Sequence, residues 1–169
     1  MYAAVDFSQL SLMDALDLAV MIEIEALERY KLFAEQLGHR YPNDAGSVFS
    51  TMCQNEEKHA DQLFQRREAL FGDKPVAVKR DDIFDVEAPD VGSIRWNISP
   101  FEAFQIALSS EEKALAFYEE ALPYVTDPEV QTLFTELRDE EKEHVDMVNK
   151  AIAGLPPEAR VGIEDQDQD

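Results

Sequence analysis

Two short stretches, Glu56-Glu57-Lys58-His59 and Glu141-Lys142-Glu143-His144, contain the same Glu-x-x-His motif. Each lies in a long segment whose apolar residues recur at alternating three- and four-residue spacings, a pattern typical of a packed helix. In both segments the glutamate and the histidine of the motif fall on the stripe that should be buried. A buried carboxylate is costly unless it is paired or bound to a metal ion. The two stretches therefore predict metal-binding helices.

Two further glutamates lie on the same kind of buried stripe. Glu23 and Glu111 each precede a tyrosine by seven residues, and these tyrosines are Tyr30 and Tyr118. Four carboxylates and two imidazoles on buried stripes indicate bound cations rather than a solvated face.

The apolar pattern predicts an all-α protein with four long helices, at about residues 12–37, 44–71, 100–122 and 128–153. Capping residues support the predicted starts of the four helices. They are Ser11 (with Asp14) for the first, Asp44 for the second, Ser99 (with Glu102) for the third and Asp127 for the fourth. Proline follows the cap at the third and fourth starts, where a helix accepts it best.

The two halves of the chain repeat each other, which indicates an internal duplication. A shift of 88 residues superimposes the first predicted helix on the third, matching Ser11, Ala15, Ala19, Glu23, Ala26 and Tyr30 to their counterparts. A shift of 85 residues matches Phe49, Glu56, His59 and Asp61 of the second to the fourth. Two helical hairpins related by a pseudo-twofold axis would bring both ligand sets to one midpoint.

The domain should span residues 8–154, with a polar crossover over 73–98 between the hairpins. That connection is long for a helix–helix loop, so we expect it to run the length of a four-helix bundle. The second and third helices would then be parallel. The acidic, proline-containing segment 155–169 is expected to be disordered.

The motif spacing predicts how two ions would be held. Residues three apart on a helix face the same way, so Glu56 with His59, and Glu141 with His144, can each bind one ion. Four carboxylates balance the charge of two divalent ions. Mixed carboxylate and imidazole ligands suit iron or manganese, and zinc less specifically.

The composition excludes several classes of function. The formal net charge is −21, which disfavours binding to nucleic acid or to anionic membranes. No apolar stretch approaches the ~18 residues of a membrane span. The single cysteine, Cys53, excludes an intramolecular disulfide and the CxxC pairs of a rubredoxin centre, so a cytoplasmic location is expected.

Over roughly residues 8–153 this pattern resembles the ferritin-like di-iron carboxylate proteins, and within that group the rubrerythrins. The resemblance implies a ferritin-like four-helix bundle with two iron ions per chain. It implies six ligands, namely Glu23, Glu56, His59, Glu111, Glu141 and His144. Glu56 and Glu141 would bridge the ions. Asn55 and Glu140 would hydrogen-bond the histidine of the opposite helix. For Tyr30 and Tyr118 two interpretations stay open: they are core aromatics, or, since each lies two turns from a ligand glutamate, their hydroxyls hydrogen-bond ligand carboxylates.

Two features depart from the rubrerythrin pattern. The position that carries a further carboxylate in rubrerythrins is Ala114, and no rubredoxin motif is present. Both departures weaken the expectation of self-contained peroxide reduction. With only six ligands, the two irons should lie in near-equivalent environments.

The leading hypothesis is a non-haem di-iron oxidoreductase that oxidises Fe(II) with peroxide or dioxygen, with an external electron donor if it turns over. The alternatives are an iron-storage or buffering module without turnover, and a structural bundle stabilised by metal. We expect a homodimer, since ferritin-like relatives associate through helix faces.

Overall fold

The computed structural model describes residues 5–79, 81, 86–90, 92 and 94–160. Four long α-helices dominate: α1 (Leu12–Leu37), α2 (Ala45–Phe71), α3 (Pro100–Ala121) and α4 (Pro128–Ala153). Short 3-10 helices follow at Leu122–Tyr124 and Pro157–Arg160. No strand occurs in these described residues, so the all-α prediction is confirmed.

Side-chain caps fix where the helices begin. Ser11, Asp44, Ser99 and Asp127 each accept hydrogen bonds from backbone amides of the first turn. The cap at Ser99 is reciprocal, because Glu102 also accepts from the Ser99 amide at 2.8 Å. At Ser11 the pattern differs from the expected capping box. There the Ser11 hydroxyl donates to the Asp14 carboxylate at 2.7 Å, and no reciprocal backbone bond forms.

A close approach of backbones forms the corner of the first hairpin. Gly38 ends α1 with φ at +63°, a conformation that glycine adopts without strain. A Cβ atom at Gly46, in the first turn of α2, would overlap the Gly38 carbonyl oxygen. Glycine at residue 46 therefore allows α1 and α2 to meet tightly.

The helices enclose two apolar cores, one at each end of the bundle. The first combines the starts of α1 and α4 with the ends of α2 and α3, including Leu16, Leu63, Phe117, Tyr118, Leu133 and Phe134. The second combines the opposite ends, including Phe33, Phe49, Met52, Ala103, Ala107 and Val148. Hence α1 and α4 run in one direction and α2 and α3 in the other. The crossover between α2 and α3 thus spans the bundle, as predicted.

The end of α2 departs from the stripe that its apolar spacing predicts. Continued past Leu63, the alternating three- and four-residue spacing would bury Arg66 and Leu70, but both side chains are exposed. Arg67 is buried instead and binds Asp17 of α1 through two hydrogen bonds of 2.6 and 3.2 Å. The same guanidinium donates to the carbonyls of Gly72 and Lys74. This ion pair attaches the beginning of the crossover to the bundle.

The middle of the crossover packs into the bundle. Residues 86–89 (Val86-Glu87-Ala88-Pro89) are buried, although the segment was expected to be a polar linker. Arg29 of α1 donates to the Pro89 carbonyl at 2.7 Å, and Lys113 of α3 donates to the Ala88 carbonyl at 2.7 Å. Helices from both hairpins therefore hold this segment.

The beginning of the acidic tail is ordered, contrary to expectation. Pro157–Arg160 form a 3-10 helix, and the Arg160 guanidinium lies over the Phe101 ring, 4.4 Å from its centroid. The rest of the tail, residues 161–169, lies outside the described residues. Of the helices described, none is long and apolar enough to cross a membrane.

Candidate metal centre

The structure brings all six predicted ligands together between the two apolar cores. One group contains Glu23, Glu56 and His59, from α1 and α2. The other contains Glu111, Glu141 and His144, from α3 and α4. Within each group the potential ligand atoms all lie within 4.8 Å of one another. The four glutamates are at most 2% exposed.

Both histidines direct Nδ1 toward the carboxylates. His59 Nδ1 lies 3.8 Å from Glu23 Oε2 and 4.0 Å from Glu56 Oε2. His144 Nδ1 is closer to its group, at 3.2 Å from Glu111 Oε2 and 3.3 Å from Glu141 Oε2. The duplicated halves therefore form equivalent ligand groups, of which the second is more compact.

A fifth carboxylate enters the site from the crossover. Glu87 is 1% exposed, and it lies in two further groups of potential ligands, one with Glu23 and Glu141 and the other with Glu56 and Glu111. Each of these groups combines glutamates from both hairpins. Sequence reasoning missed Glu87 because the crossover has no helical periodicity. The only available signal was a single carboxylate within the apolar run Val86-Glu87-Ala88-Pro89.

Many polar atoms of the site lack a hydrogen-bond partner among the described residues. They include both carboxylate oxygens of Glu56 and Glu87, one oxygen each of Glu23 and Glu111, and His59 Nδ1. Buried polar atoms in native proteins almost always have partners. Unpartnered oxygens and an imidazole nitrogen converging on one point are the arrangement that a cation completes.

Burial and mutual repulsion raise the pKa of four of these carboxyls in the metal-free protein. Burial, followed by the charge of Glu141, raises the pKa of Glu23 well above its ordinary value. Burial and the charge of Glu111 do the same to the pKa of Glu56, and burial and the charge of Glu23 to the pKa of Glu87. Burial raises the pKa of Glu141 to about 8, although its hydrogen bond with His144 opposes the shift. Without metal, the site therefore holds protons near neutral pH.

The two imidazoles have opposite acid–base behaviour. Burial, with the charge of His144, lowers the pKa of His59 to about 4. Burial also acts to lower the pKa of His144, but hydrogen bonds to Glu111 and Glu141 outweigh it and raise that pKa to about 10. The shorter distances from His144 to its carboxylates explain the difference.

The two tyrosines beside the ligands do not form the hydrogen bonds considered for them. Tyr30 and Tyr118 are fully buried, but neither hydroxyl makes a hydrogen bond within the described structure. Burial and the charges of Glu111 and Glu56 raise the pKa of Tyr30 well above its ordinary value. Burial and the charges of Glu23 and Glu141 raise the pKa of Tyr118 similarly. The pKa of each tyrosine hydroxyl is therefore affected by carboxylates of both hairpins.

Asn55 and Glu140 are not hydrogen-bonded to the histidines as expected. Asn55 is half-buried and Glu140 is exposed, and in the described part of the chain no hydrogen bond joins either side chain to a histidine. Glu140 and His59 line a small cavity of about 110 Å³ between α2 and α4. The partly exposed His59 ring therefore forms part of the wall of this cavity.

Comparison with known protein families identifies the chain. Residues 14–152 match the family described as Rubrerythrin, which covers all four helices and all six predicted ligands. The chain belongs to the rubrerythrin family. The resemblance seen in the sequence is therefore confirmed.

Two solved structures share the fold of this chain. An uncharacterized conserved protein from Magnetospirillum magnetotacticum is 29% identical, with a TM-score of 0.68, over 87% of this chain and 97% of that one. A hypothetical protein from Pyrococcus furiosus is 23% identical, with a TM-score of 0.54, over 85% of this chain and 89% of that one, and shows the shared fold alone. A search of curated proteins gave no significant match.

Proposed function

We propose that this rubrerythrin-family protein is a non-haem di-iron oxidoreductase that oxidises Fe(II) with peroxide or dioxygen. The observation that supports this most directly is the pair of Glu/Glu/His groups. They are buried at one midpoint, and both Nδ1 atoms face carboxylate oxygens. Di-iron carboxylate bundles use the same recipe of ligands on facing helices.

The residues present fit two metal ions. Each hairpin offers two carboxylates and one imidazole, a donor set that suits iron or manganese, with zinc also possible. Glu23, Glu56 and His59 would hold one ion, and Glu111, Glu141 and His144 the other. The unpartnered oxygens and His59 Nδ1 would gain the partner that they lack within the described structure. Two bound ferrous ions would supply the two electrons that convert one peroxide into two waters.

The fold would supply the shielding that this chemistry needs, and solvent would supply the two protons that reduction of peroxide to two waters also consumes. Burial raises the pKa of Glu141 to about 8, so this carboxyl holds a proton near neutral pH only until a metal ion displaces it, and in the loaded site it would act as a ligand. The apolar cores at either end exclude bulk water from the ligands. The cavity beside His59 offers small oxidants a path from the surface.

Anaerobic loading with two equivalents of Fe(II), followed by peroxide, tests the proposal. Repeated peroxide consumption in the presence of a chemical reductant would establish an enzyme. A single stoichiometric oxidation that is not restored by reductant would favour the buffering alternative. A melting temperature that Zn(II) raises as much as Fe(II) does, without any reaction with peroxide, would indicate a structural metal.

The expected homodimer, external electron donor and cytoplasmic location stay predictions. Sedimentation equilibrium of the purified chain checks the dimer. Metal analysis of protein isolated from its native host checks the identity of the ions.

A further inference from the structure

The most unusual group outside the predicted ligand set is the Glu87 carboxylate. It is 1% exposed, and neither of its oxygens has a hydrogen-bond partner among the described residues. No lysine, arginine or histidine within ion-pairing distance of its oxygens is found in that part of the chain. A buried carboxylate without any partner is among the costliest groups that a fold can retain.

The placement of Glu87 is as informative as its burial. Potential ligand atoms of Glu87, Glu23 and Glu141 lie within 4.8 Å of one another, and so do those of Glu87, Glu56 and Glu111. The Glu87 carboxylate thus lies within 4.8 Å of carboxylates from both hairpins, whereas each histidine belongs to the group of its own hairpin.

The surrounding segment holds Glu87 in this position. Arg29 of the first hairpin and Lys113 of the second donate to the carbonyls of Pro89 and Ala88, each at 2.7 Å. Val86 and Ala88 are fully buried on either side. Backbone carbonyls of the segment accept both of these hydrogen bonds, while the Glu87 side chain is directed at the site.

We propose that Glu87 is a seventh ligand, which the crossover supplies to both metal positions, so that metal binding fixes the crossover against both hairpins. This inference rests on the proposed di-metal site. It changes the charge balance, because five carboxylates exceed the charge of two divalent ions by one. That extra negative charge favours the more positive, oxidised metal pair over the reduced pair.

Mn(II) titration of the full-length protein and hydrogen exchange of peptides containing residues 86–90 test the proposal together. The variant is Glu87→Gln, which keeps the side-chain size but removes the anionic oxygen. The matched control is Asp90→Asn, which makes the same change in the same segment on a side chain that is 79% exposed. Val86→Ala controls for loss of packing, because it loosens the buried segment without removing a donor.

In the wild type we expect two bound Mn(II) ions and slower exchange of the crossover peptide on loading. Glu87→Gln should weaken Mn(II) binding by roughly tenfold or more, since even residues that only support metal ligands act on this scale. The loading-dependent slowing of exchange should also disappear in Glu87→Gln but persist in Asp90→Asn and Val86→Ala. A cooperative thermal transition of the metal-free Glu87→Gln protein would establish that the variant is folded. If it is not, Glu87→Asp, which retains a shortened carboxylate, replaces it with the same expectations.

A Glu87→Gln protein that binds Mn(II) as the Asp90→Asn protein does, with the same protection of the crossover, would overturn the role of Glu87 and leave the di-metal site intact. A wild type that binds fewer than two ions would instead overturn the proposed site itself. The two failures are therefore distinguishable in one set of titrations.

Discussion

The imidazole rings of His59 and His144 stack almost parallel across the bundle, with centroids 4.5 Å apart and an interplanar angle of 8°. Each ring comes from the second helix of its hairpin, and each directs Nδ1 toward its own pair of glutamates. At this stacked pair the two duplicated halves meet beside the ligand groups. Because Nδ1 lies closer to its glutamates in His144 than in His59, we expect the two ions to occupy distinguishable environments rather than the near-equivalent ones that the six-ligand pattern suggested.

The first prediction concerns the roles of individual ligands. Glu56 reaches carboxylates of both hairpins, whereas His59 belongs to one group only. Glu56→Ala should therefore reduce binding at both metal positions, and His59→Ala mainly at one. Calorimetric titration with Mn(II), checked by metal analysis of the dialysed protein, gives the number of sites. Equal losses in the two variants would contradict a bridging role for Glu56.

The second prediction concerns the protonation of the two histidines. The pKa of His144 is raised to about 10 and that of His59 is lowered to about 4, so at pH 7 the metal-free protein should hold a charged His144 and a neutral His59. Metal binding must then displace a proton from His144. Nitrogen-15 NMR of the imidazoles distinguishes the two states, with His59→Gln providing the assignment. Two neutral rings at pH 7 would show that the carboxylates do not hold the proton as we infer.

The third prediction concerns the stability of the metal-free protein with pH. A group whose pKa is raised by folding stabilises the fold below its unfolded pKa, and this contribution is lost as pH rises through the folded pKa. Glu141, with a pKa of about 8, and His144, with one of about 10, both lose their contribution on the alkaline side. His59 acts oppositely, but its lowered pKa of about 4 changes stability only below its ordinary value of about 6.5.

The melting temperature of the chelator-treated protein should therefore fall steadily as the pH rises from about 6.5 to 9. Saturating Mn(II) should reduce this slope, because metal replaces the protons and binds only the folded site tightly. Glu141→Gln should flatten the metal-free profile. Melting temperatures that rise over this interval without metal would contradict the raised pKa values.

The fourth prediction compares two adjacent arginines. Arg67 forms a buried pair with Asp17, whereas Arg66 forms an exposed pair with Glu136 at 2.7 Å. Arg67→Met should lower the melting temperature by roughly 5 °C or more, because Asp17 would remain buried without its partner. Arg66→Met should lower it by about 2 °C or less, as exposed ion pairs contribute little. Equal effects would show that burial does not distinguish the pairs.

The fifth prediction concerns the corner of the first hairpin. A side chain at Gly46 would overlap the Gly38 carbonyl, so Gly46→Ala should separate the ends of α1 and α2 and destabilise the protein. Gly92→Ala is a suitable control because nothing lies within 4 Å of the added atom. Thermal melting of both metal-free variants provides the comparison. Unchanged melting of Gly46→Ala would show that the corner can open at little cost.

The sequence by itself determined the helices and the six residues of the paired groups. Their signals are local: apolar spacing sets each buried stripe, caps such as Ser99 and Asp127 fix the starts, and Glu-x-x-His aligns two donors on one face. The duplication extended this local information to the correspondence between the ligand groups of the two hairpins. Periodicity alone still misplaced the last turns of α2, because it cannot distinguish Arg66 from Arg67 when only a partner on α1 makes one of them buried.

Only the tertiary structure decided the role of the crossover. Glu87 lies in a segment without periodicity, and only its short apolar surroundings separate it from the many exposed acidic residues of a chain with net charge −21. Its burial depends on Arg29 and Lys113, which are distant in sequence and donate to the carbonyls that follow it. The difference in pKa between His59 and His144 likewise arises from a difference of a few tenths of an ångström in the distance from each Nδ1 to the glutamate of the neighbouring helix. Helical periodicity is set by neighbours along the chain, whereas such contacts are fixed only when the helices and the crossover pack together.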